Sequence, residues 1–360
     1  MTNQTCTRCV MDTTDPDIQF DENGTCNHCR NYVKYVSQYV HPNQLIQTLN
    51  KLTTGKCIIG MSGGVDSSYT AYLLGKRGIR PFVMAFDNGY NTKVADGNVQ
   101  AILKHFGWTI NIQMIDYRAF AAMQLAYMKS GVLNIESLSD HAIYAVQWNT
   151  AHNIGAKFVV SGNNYAAEGI LPKAWSHNGS DLPNIIDILK NNGVPNLPLT
   201  YPTLKAETWA RYRKSIEEVD LLNHMSYNVT NAKKELMAIG WKDYGLKHWE
   251  SIITRFYQRY ILPTRAGIDK RKAHLSCLIM NGEMTRQQAL DELAKPLYTP
   301  EQFKWDRDFV AYYLGISADE LESLIRKPVV DYANYHHQDY HHPPKGFLGQ
   351  IRQFFKGESN

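Results

Sequence analysis

The spacing of apolar positions changes character near residue 56. Lys56–Met61 (KCIIGM) is a short apolar run that leads into glycines, and Asp66–Arg77 then carries helical spacing closed by Gly78. Pro81–Phe86 predicts a buried strand, Val94–Phe106 a helix, Trp108–Ile115 a strand and Ala119–Lys129 a helix. Asp140–His152 predicts a further helix, and Lys157–Ser161 a further strand. Strands alternating with helices of this length predict an α/β fold on a parallel sheet with helices on both faces. After about Ala166 the alternation stops. Residues 170–205 are rich in Pro, Asn and Gly and read as loops over the site. Helical patterns follow at Thr208–Asn223, Asn231–Gly240 and Lys247–Ile261. Two more helix starts have capping-box spacing, Thr285 with Gln288 and Ser317 with Glu320. No internal repeat is present. The resulting division is a cysteine-bearing segment with a linker helix at 1–50, an α/β domain at 51–200 and a largely helical region at 201–360.

A hydrophobic fraction of 44% and a charged fraction of 20% over 360 residues allow a large buried core. The net charge of +4 suits anionic substrates, but a balanced surface gives the same number, so it is no ground for a nucleic-acid partner. No stretch approaches the ~18 apolar residues of a membrane span. The opening MTNQTCTRCV lacks a basic segment followed by an apolar run, which makes the cytoplasm the expected location. Six cysteines without a secretory signal fit reduced thiols better than a disulfide framework. The His-rich stretch His336–His342 reads as a metal-binding or a solvated tail, with no scaffold to fix its side chains.

Four of the six cysteines form two CxxC knuckles, Cys6/Cys9 and Cys26/Cys29, separated by sixteen residues. That spacing matches a tetrahedral thiolate zinc site, with Asn23-Gly24 supplying a turn before the second knuckle. Four thiolates fill the coordination sphere, so this zinc is expected to be structural, with His28 a bystander.

Ser62-Gly63-Gly64-Val65-Asp66-Ser67-Ser68 lies between a predicted strand and helix. Two glycines let backbone N–H groups approach a phosphate, and the helix aims its positive end at the same place. The Gly-Lys-Ser/Thr of an ordinary P-loop is absent. In this context SGGVDSS resembles the PP-loop of the N-type ATP-pyrophosphatases (adenine nucleotide alpha hydrolase-like), which split ATP between its α- and β-phosphates. Asp87-Asn88-Gly89 ends the second strand and resembles a motif of GMP synthetase that lies beside the nucleotide. Ser161-Gly162-Asn163-Asn164 leads to Glu168 and resembles the segment of NAD synthetase whose glutamate binds magnesium. Asp66 and Glu168 are thus the expected Mg²⁺ ligands. Asp66 also reads as a helix cap, and Asp87 as a plain turn residue.

The whole chain resembles the N-acetyl sugar amidotransferases of bacterial surface-polysaccharide (O-antigen) synthesis, the WbpG and PseA group. Besides SGGVDSS, the shared segments are Cys6-Thr7-Arg8-Cys9-Val10-Met11-Asp12, Ser139-Asp140-His141-Ala142-Ile143, SGNNYAAEGILPKAW, Trp241–Gly245, Arg255–Pro263 and Gly267–Ser276. Ser139 and Thr264-Arg265-Ala266 depart from the group's usual residues. The resemblance implies that the acetamido oxygen of a nucleotide-linked sugar attacks the α-phosphate of ATP. Ammonia then displaces AMP from the O-adenylyl imidate to give an acetamidino group. It further implies that a separate glutaminase, working with an ammonia-channelling barrel protein, supplies the ammonia. Cys57 and Cys277 both lie in apolar runs, unlike a glutaminase nucleophile.

Lys270, Arg271 and Lys272 form a basic cluster that could hold phosphates, with a solvated turn as the competing reading. Glu250, Thr254 and Gln258 share one face of the helix expected from Lys247 and could line the sugar site beside Arg255. Asp140 and His141 open a helix near the expected ATP end, His141 as an orienting or a structural residue. Two rival functions are a tRNA-thiolating PP-loop enzyme and a non-enzymatic zinc-ribbon module for nucleic acid. Against the first, no CxxC lies outside Cys6–Cys29, the part of the N-terminal segment that reads as a zinc ribbon. Against the second, the phosphate loop would go unexplained.

Overall fold

The computed structural model describes residues 4–175, 179 and 181–337. Five parallel strands are β1 (Cys57–Gly60), β2 (Phe82–Asp87), β3 (Ile110–Met114), β4 (Phe158–Ser161) and β5 (Glu217–Asp220), in the order β3-β2-β1-β4-β5. Ile58, Met84 and Val159 enter one apolar core, and their chain neighbours Ile59, Val83 and Val160 enter the other. A strand buried on both faces needs such unbroken apolar runs, which is why β1, β2 and β4 are readable from the sequence.

The helices are α1 (Asn27–Tyr39), α2 (Leu45–Leu52), α3 (Val65–Lys76), α4 (Lys93–Phe106), α5 (Tyr117–Ser130), α6 (Ser137–Asn153), α7 (Tyr165–Glu168), α8 (Leu182–Asn191), α9 (Ala206–Tyr212) and α10 (Val229–Met237). One core holds residues of α2, α3, α4 and α10, the other residues of α5, α6 and α8. The C-terminal region adds α11 (Ile252–Phe256), a π-turn at Tyr257–Ile261, α12 (Leu262–Ala266), α13 (Arg271–Met280), α14 (Arg286–Ala294), α15 (Pro300–Leu314) and α16 (Ala318–Ile325).

Three expectations are corrected. The region 170–205 is not all loop, because Asp181 caps α8 through Asn184 N–H and Pro183 suits its first turn. The helix expected over Thr208–Asn223 stops at Tyr212, and Glu217–Asp220 forms the fifth strand. The helix expected from Lys247 starts at Ile252, because Ser251 takes extended backbone and accepts from Thr254 N–H. Glu250 therefore precedes the helix that carries Thr254 and Gln258. Residues 338–342 of the His-rich stretch lie outside the described residues; His336 N–H donates to Asp187. Among the described residues no helix is long and apolar enough to cross a membrane.

Candidate active site

Connections from β1 run to β2 and then β3, whereas β4 lies on the other side of β1. The carboxyl ends of β1 and β4 thus flank the topological switch point, where open α/β sheets bind ligands. Ser62–Ser68 follows β1, and Gly162–Glu168 follows β4. The two loops touch: a Cβ on Gly162 would lie 2.8 Å from the Asp66 carbonyl carbon and 2.9 Å from Ser67 N. Only glycine allows that approach.

Gly63 has φ +79°, and a Cβ there would sit 2.2 Å from the Ala95 carbonyl oxygen at the start of α4. Gly64 is the N-cap of α3, so Asp66 is not the cap but stands in the first turn. Ser62 Oγ accepts from Gly64 N–H at 3.2 Å and lies 3.2 Å from Ser67 Oγ. Ser68 Oγ is buried and has no hydrogen-bond partner among the described residues. Val65 N–H, at the positive end of α3, donates to Tyr244 Oη at 3.0 Å.

Asp66 and Glu168 meet through a residue that sequence reasoning missed. Lys247 Nζ lies 3.5 Å from Asp66 Oδ2 and 2.8 Å from Glu168 Oε1. Tyr227 donates to Asp66 Oδ1 at 2.5 Å. Burial and then the neighbouring Glu168 raise the Asp66 pKa against the pull of Lys247. Burial would raise Glu168 as well, but Lys247 holds it below the usual range. Burial works against the Lys247 charge, yet the two carboxylates keep its pKa above the ordinary lysine value. The lysine lies 181 residues from Asp66 in the sequence, so no local pattern could have found it. Glu250 comes close too, with Oε1 3.1 Å from where a Gly64 Cβ would be; its Oε2 is buried with no hydrogen-bond partner among the described residues.

The other candidate residues make contacts of their own. Asp87 accepts from Gly89 N–H at 2.9 Å and from Tyr117 Oη at 2.9 Å. Asn88 donates to Ser139 Oγ at 3.0 Å, and its carbonyl accepts from Tyr313 Oη at 2.7 Å. Ser161 Oγ donates to Asp220 at 2.8 Å and accepts from Asn163 N–H at 3.0 Å. Asn164 caps α7 by accepting from Ala167 N–H. Asp140 stands exposed in the first turn of α6, next to Gly179. His141 is buried, stacks on Tyr201 and accepts from Leu204 N–H.

The basic cluster disperses. Lys270 lies over the Tyr257 ring at 5.7 Å, on the π-turn. Arg271 donates to Asp269 and to the carbonyls of Glu292, Leu293 and Lys295. Lys272 pairs with Asp12 at 2.6 Å, tying α13 to the cysteine segment. Arg255 is buried in a two-point contact with Asp306. Thr254 and Gln258 are half-buried on the continuous helix.

Cys6, Cys9, Cys26 and Cys29 bury their sulfurs within 4.8 Å of one another, with individual pairs at 3.9, 3.6 and 3.8 Å. A tetrahedron with zinc–sulfur bonds of ~2.3 Å has edges of about 3.8 Å, so the cluster fits zinc. His28 stays outside it, 2.6 Å from Asp15. The other two thiols are buried, and burial pushes Cys57 up to about 11 and Cys277 up to about 12.

A model of the thiamine biosynthesis protein ThiI matches residues 52–167, and a model of the C-terminal domain of WbpG-like LPS biosynthesis proteins matches residues 250–346. Together the two matches support a WbpG-like PP-loop protein. No curated protein matches it. PP-loop proteins are users of ATP with Mg²⁺, and the ThiI match covers the phosphate loop, β1 to β4 and the turn into Glu168. Asp66 and Glu168, whose oxygens converge on one lysine, are hard oxygen donors of the kind Mg²⁺ takes. The WbpG-like match begins at Glu250 and contains the π-turn, α13 and the residues that hold the cysteine segment.

Proposed function

We propose that this protein is an ATP-dependent amidotransferase that converts an acetamido group of a nucleotide-activated sugar into an acetamidino group. The observation that carries the reading is a phosphate loop and a WbpG-like C-terminal domain in one chain, meeting around Lys247 and Glu250. The acetamido oxygen forms a bond to the α-phosphorus of ATP as the bond to the β-phosphate oxygen breaks, and pyrophosphate leaves with the electron pair. Ammonia adds to the imidate carbon and AMP departs, leaving an amidine. An amide oxygen leaves poorly as hydroxide but well as AMP, so the protein's task is to position the reactants and neutralise phosphate charge.

In this reading Ser62–Ser68 cradles pyrophosphate, while Asp87, Asn88, Gly89, Ser161, Gly162 and Asn163 border the nucleotide. Asp66 and Glu168 hold Mg²⁺, which supplies charge neutralisation at the phosphates. Asp140, His141 and Lys270 serve the reaction and Asn164, Glu250, Thr254 and Gln258 shape the sugar side, while Arg255, Arg271 and Lys272, engaged by Asp306, Asp269 and Asp12, brace the fold around it. Zinc fills the four-cysteine cluster and has a structural role. The ammonia comes from a separate glutaminase with a barrel partner, in keeping with the buried, protonated Cys57 and Cys277. The product belongs to bacterial surface polysaccharide such as O-antigen, and the protein acts in the cytoplasm.

The ThiI match also supports a second reading, a PP-loop enzyme that thiolates tRNA. Mass spectrometry separates the two. The protein is incubated with ATP, Mg²⁺, ammonium and a panel of UDP- and CMP-linked N-acetyl sugars. The expected product has NH in place of O, with AMP and pyrophosphate in equal amounts. AMP formed only when tRNA is supplied would overturn the sugar reading and favour thiolation.

A further inference from the structure

We propose that Lys247 is the phosphate-contacting cation of the loop, carried there by the segment 241–251 and meeting the pyrophosphate portion of ATP. The proposal deepens the ATP-splitting reading above and rests on it.

The segment is anchored on both sides of the loop. Trp241 Nε1 and Asn98 Nδ2 both donate to the Gly63 carbonyl, at 3.3 and 3.2 Å, and Asn98 Oδ1 accepts from Lys242 N–H at 2.7 Å. Tyr244 Oη accepts from Val65 N–H. Thr92 N–H donates to the Glu250 carbonyl at 2.9 Å, and Ser251 pairs with Asn91. Lys247 lies between these anchors, so its ammonium is delivered to the first turn of α3 by the fold of the segment. The next residue, His248, has φ 65° and is the one non-glycine residue with positive φ among the described residues. Such backbone persists where surrounding contacts over-determine it.

Charge gives the second argument. Asp66, Glu168 and Glu250 bring three carboxylates to the mouth of a loop whose geometry suits an anion. A polyphosphate enters such a place only if cations offset the repulsion, and at short range in a partly buried site each is strongly felt. Lys247 has a side-chain exposure of 16% and contacts two of the three carboxylates. Mg²⁺ held by Asp66 and Glu168 would offset the negative charge that keeps the ammonium beside them, which would let Lys247 reach a phosphate. The Val65 N–H held by Tyr244 is one of the donors a phosphate would take from the same segment.

The test is isothermal titration of the full-length protein with Mg·ATP and with Mg·pyrophosphate, on wild type, Lys247→Met and Lys247→Arg. Thermal melts verify that each variant is folded. Lys247→Met is expected to weaken both ligands by about ten-fold or more, and Lys247→Arg, which keeps the charge, to recover most of the loss. Folded Lys247→Met that binds both ligands like wild type would overturn the proposal and leave the ATP-splitting reading standing. A wild-type protein that binds neither ligand would overturn both. Equal losses in the Met and Arg variants would also overturn it, since they would mean that the lysine matters only for its shape in the fold.

Discussion

The hydroxyl of Tyr227 donates to Asp66 Oδ1 at 2.5 Å, joining the first turn of α3 to the chain just before α10. Lys247 contacts the other oxygen, Oδ2, so both sides of the carboxylate are fixed by residues more than 160 positions away. The acid is thereby held ready at the loop instead of rotating through solvent.

Tyr227→Phe removes that hydroxyl and little else. The variant is expected to fold with a Tm within a few degrees of wild type and to bind Mg·ATP about ten-fold more weakly, because Asp66 loses its orientation. Unchanged affinity by titration calorimetry would show that the carboxylate needs no such support. Asp66→Ala is expected to abolish pyrophosphate release altogether, with the fold intact by circular dichroism.

Gly63 and Gly64 stand side by side but should respond differently to alanine. Gly63 has φ +79°, and its added Cβ would fall 2.2 Å from a backbone oxygen, which cannot move aside cheaply. Gly64 has φ −67°, and its nearest obstacle is the end of the Glu250 side chain at 3.1 Å. Urea denaturation should show Gly63→Ala losing about 1–3 kcal/mol or more and Gly64→Ala clearly less. Equal losses would contradict this geometry.

The sheet and its first helices were readable because β1, β2 and β4 are apolar on both faces and are followed by glycine-rich turns. β5 was not, since Glu217, Glu218 and Asp220 surround one buried residue, Val219, and leave no apolar run to read. The phosphate loop was legible as a contiguous motif. Its counter-charge was not, because Lys247 reaches Asp66 and Glu168 only through the tertiary path of 241–251. Arg271 and Lys272 read alike on paper, yet one braces α14 through carbonyls and the other pairs with Asp12. Composition records charge, and the fold decides what it faces.

Glu218 should make stability depend on pH. Burial, with Asp220 beside it and Arg213 acting in the opposite direction, raises its carboxyl from 4.5 to about 8. The folded protein therefore holds a proton that the unfolded chain has released, so the stabilisation is present below 4.5 and is lost as pH rises through about 8. Glu218→Gln keeps a neutral side chain at every pH. Its Tm should match wild type at pH 4.5 and exceed it at pH 8, by on the order of a few degrees. Parallel Tm-versus-pH curves would remove Glu218 as the titrating group.

The cysteine segment is held by the C-terminal region. Arg286 donates to the carbonyls of Cys6 and Cys9 at 2.9–3.1 Å, and Val10 packs with Leu275 and Ala289. Cys26→Ser should lose zinc and melt earlier, whereas Arg286→Met should keep zinc, measured by elemental analysis, and still lower the Tm. Full zinc content in Cys26→Ser would rule out the four-cysteine site. Zinc loss in Arg286→Met would mean that the docking contacts, and not the thiolates alone, hold the metal.

Arg255 and Asp306 test whether a basic residue of the WbpG-like domain serves substrate or fold. The pair is almost wholly buried, with side-chain exposures of 6% and 0%, and its two nitrogen–oxygen distances are 2.6 and 2.5 Å. Tyr298 and Gln302 also donate to Asp306, so the carboxylate sits in a complete set of donors. Removing one partner leaves a buried charge without its counter-charge, a loss of about 3–5 kcal/mol, whereas replacing both with apolar groups of similar volume recovers much of it. Arg255→Met alone should therefore unfold at clearly lower urea than wild type, and Arg255→Met with Asp306→Leu should regain a large part of the difference. If instead Arg255→Met is as stable as wild type and raises the KM for the nucleotide sugar, the guanidinium faces substrate during turnover. A stability loss that the second substitution repairs assigns it to the fold.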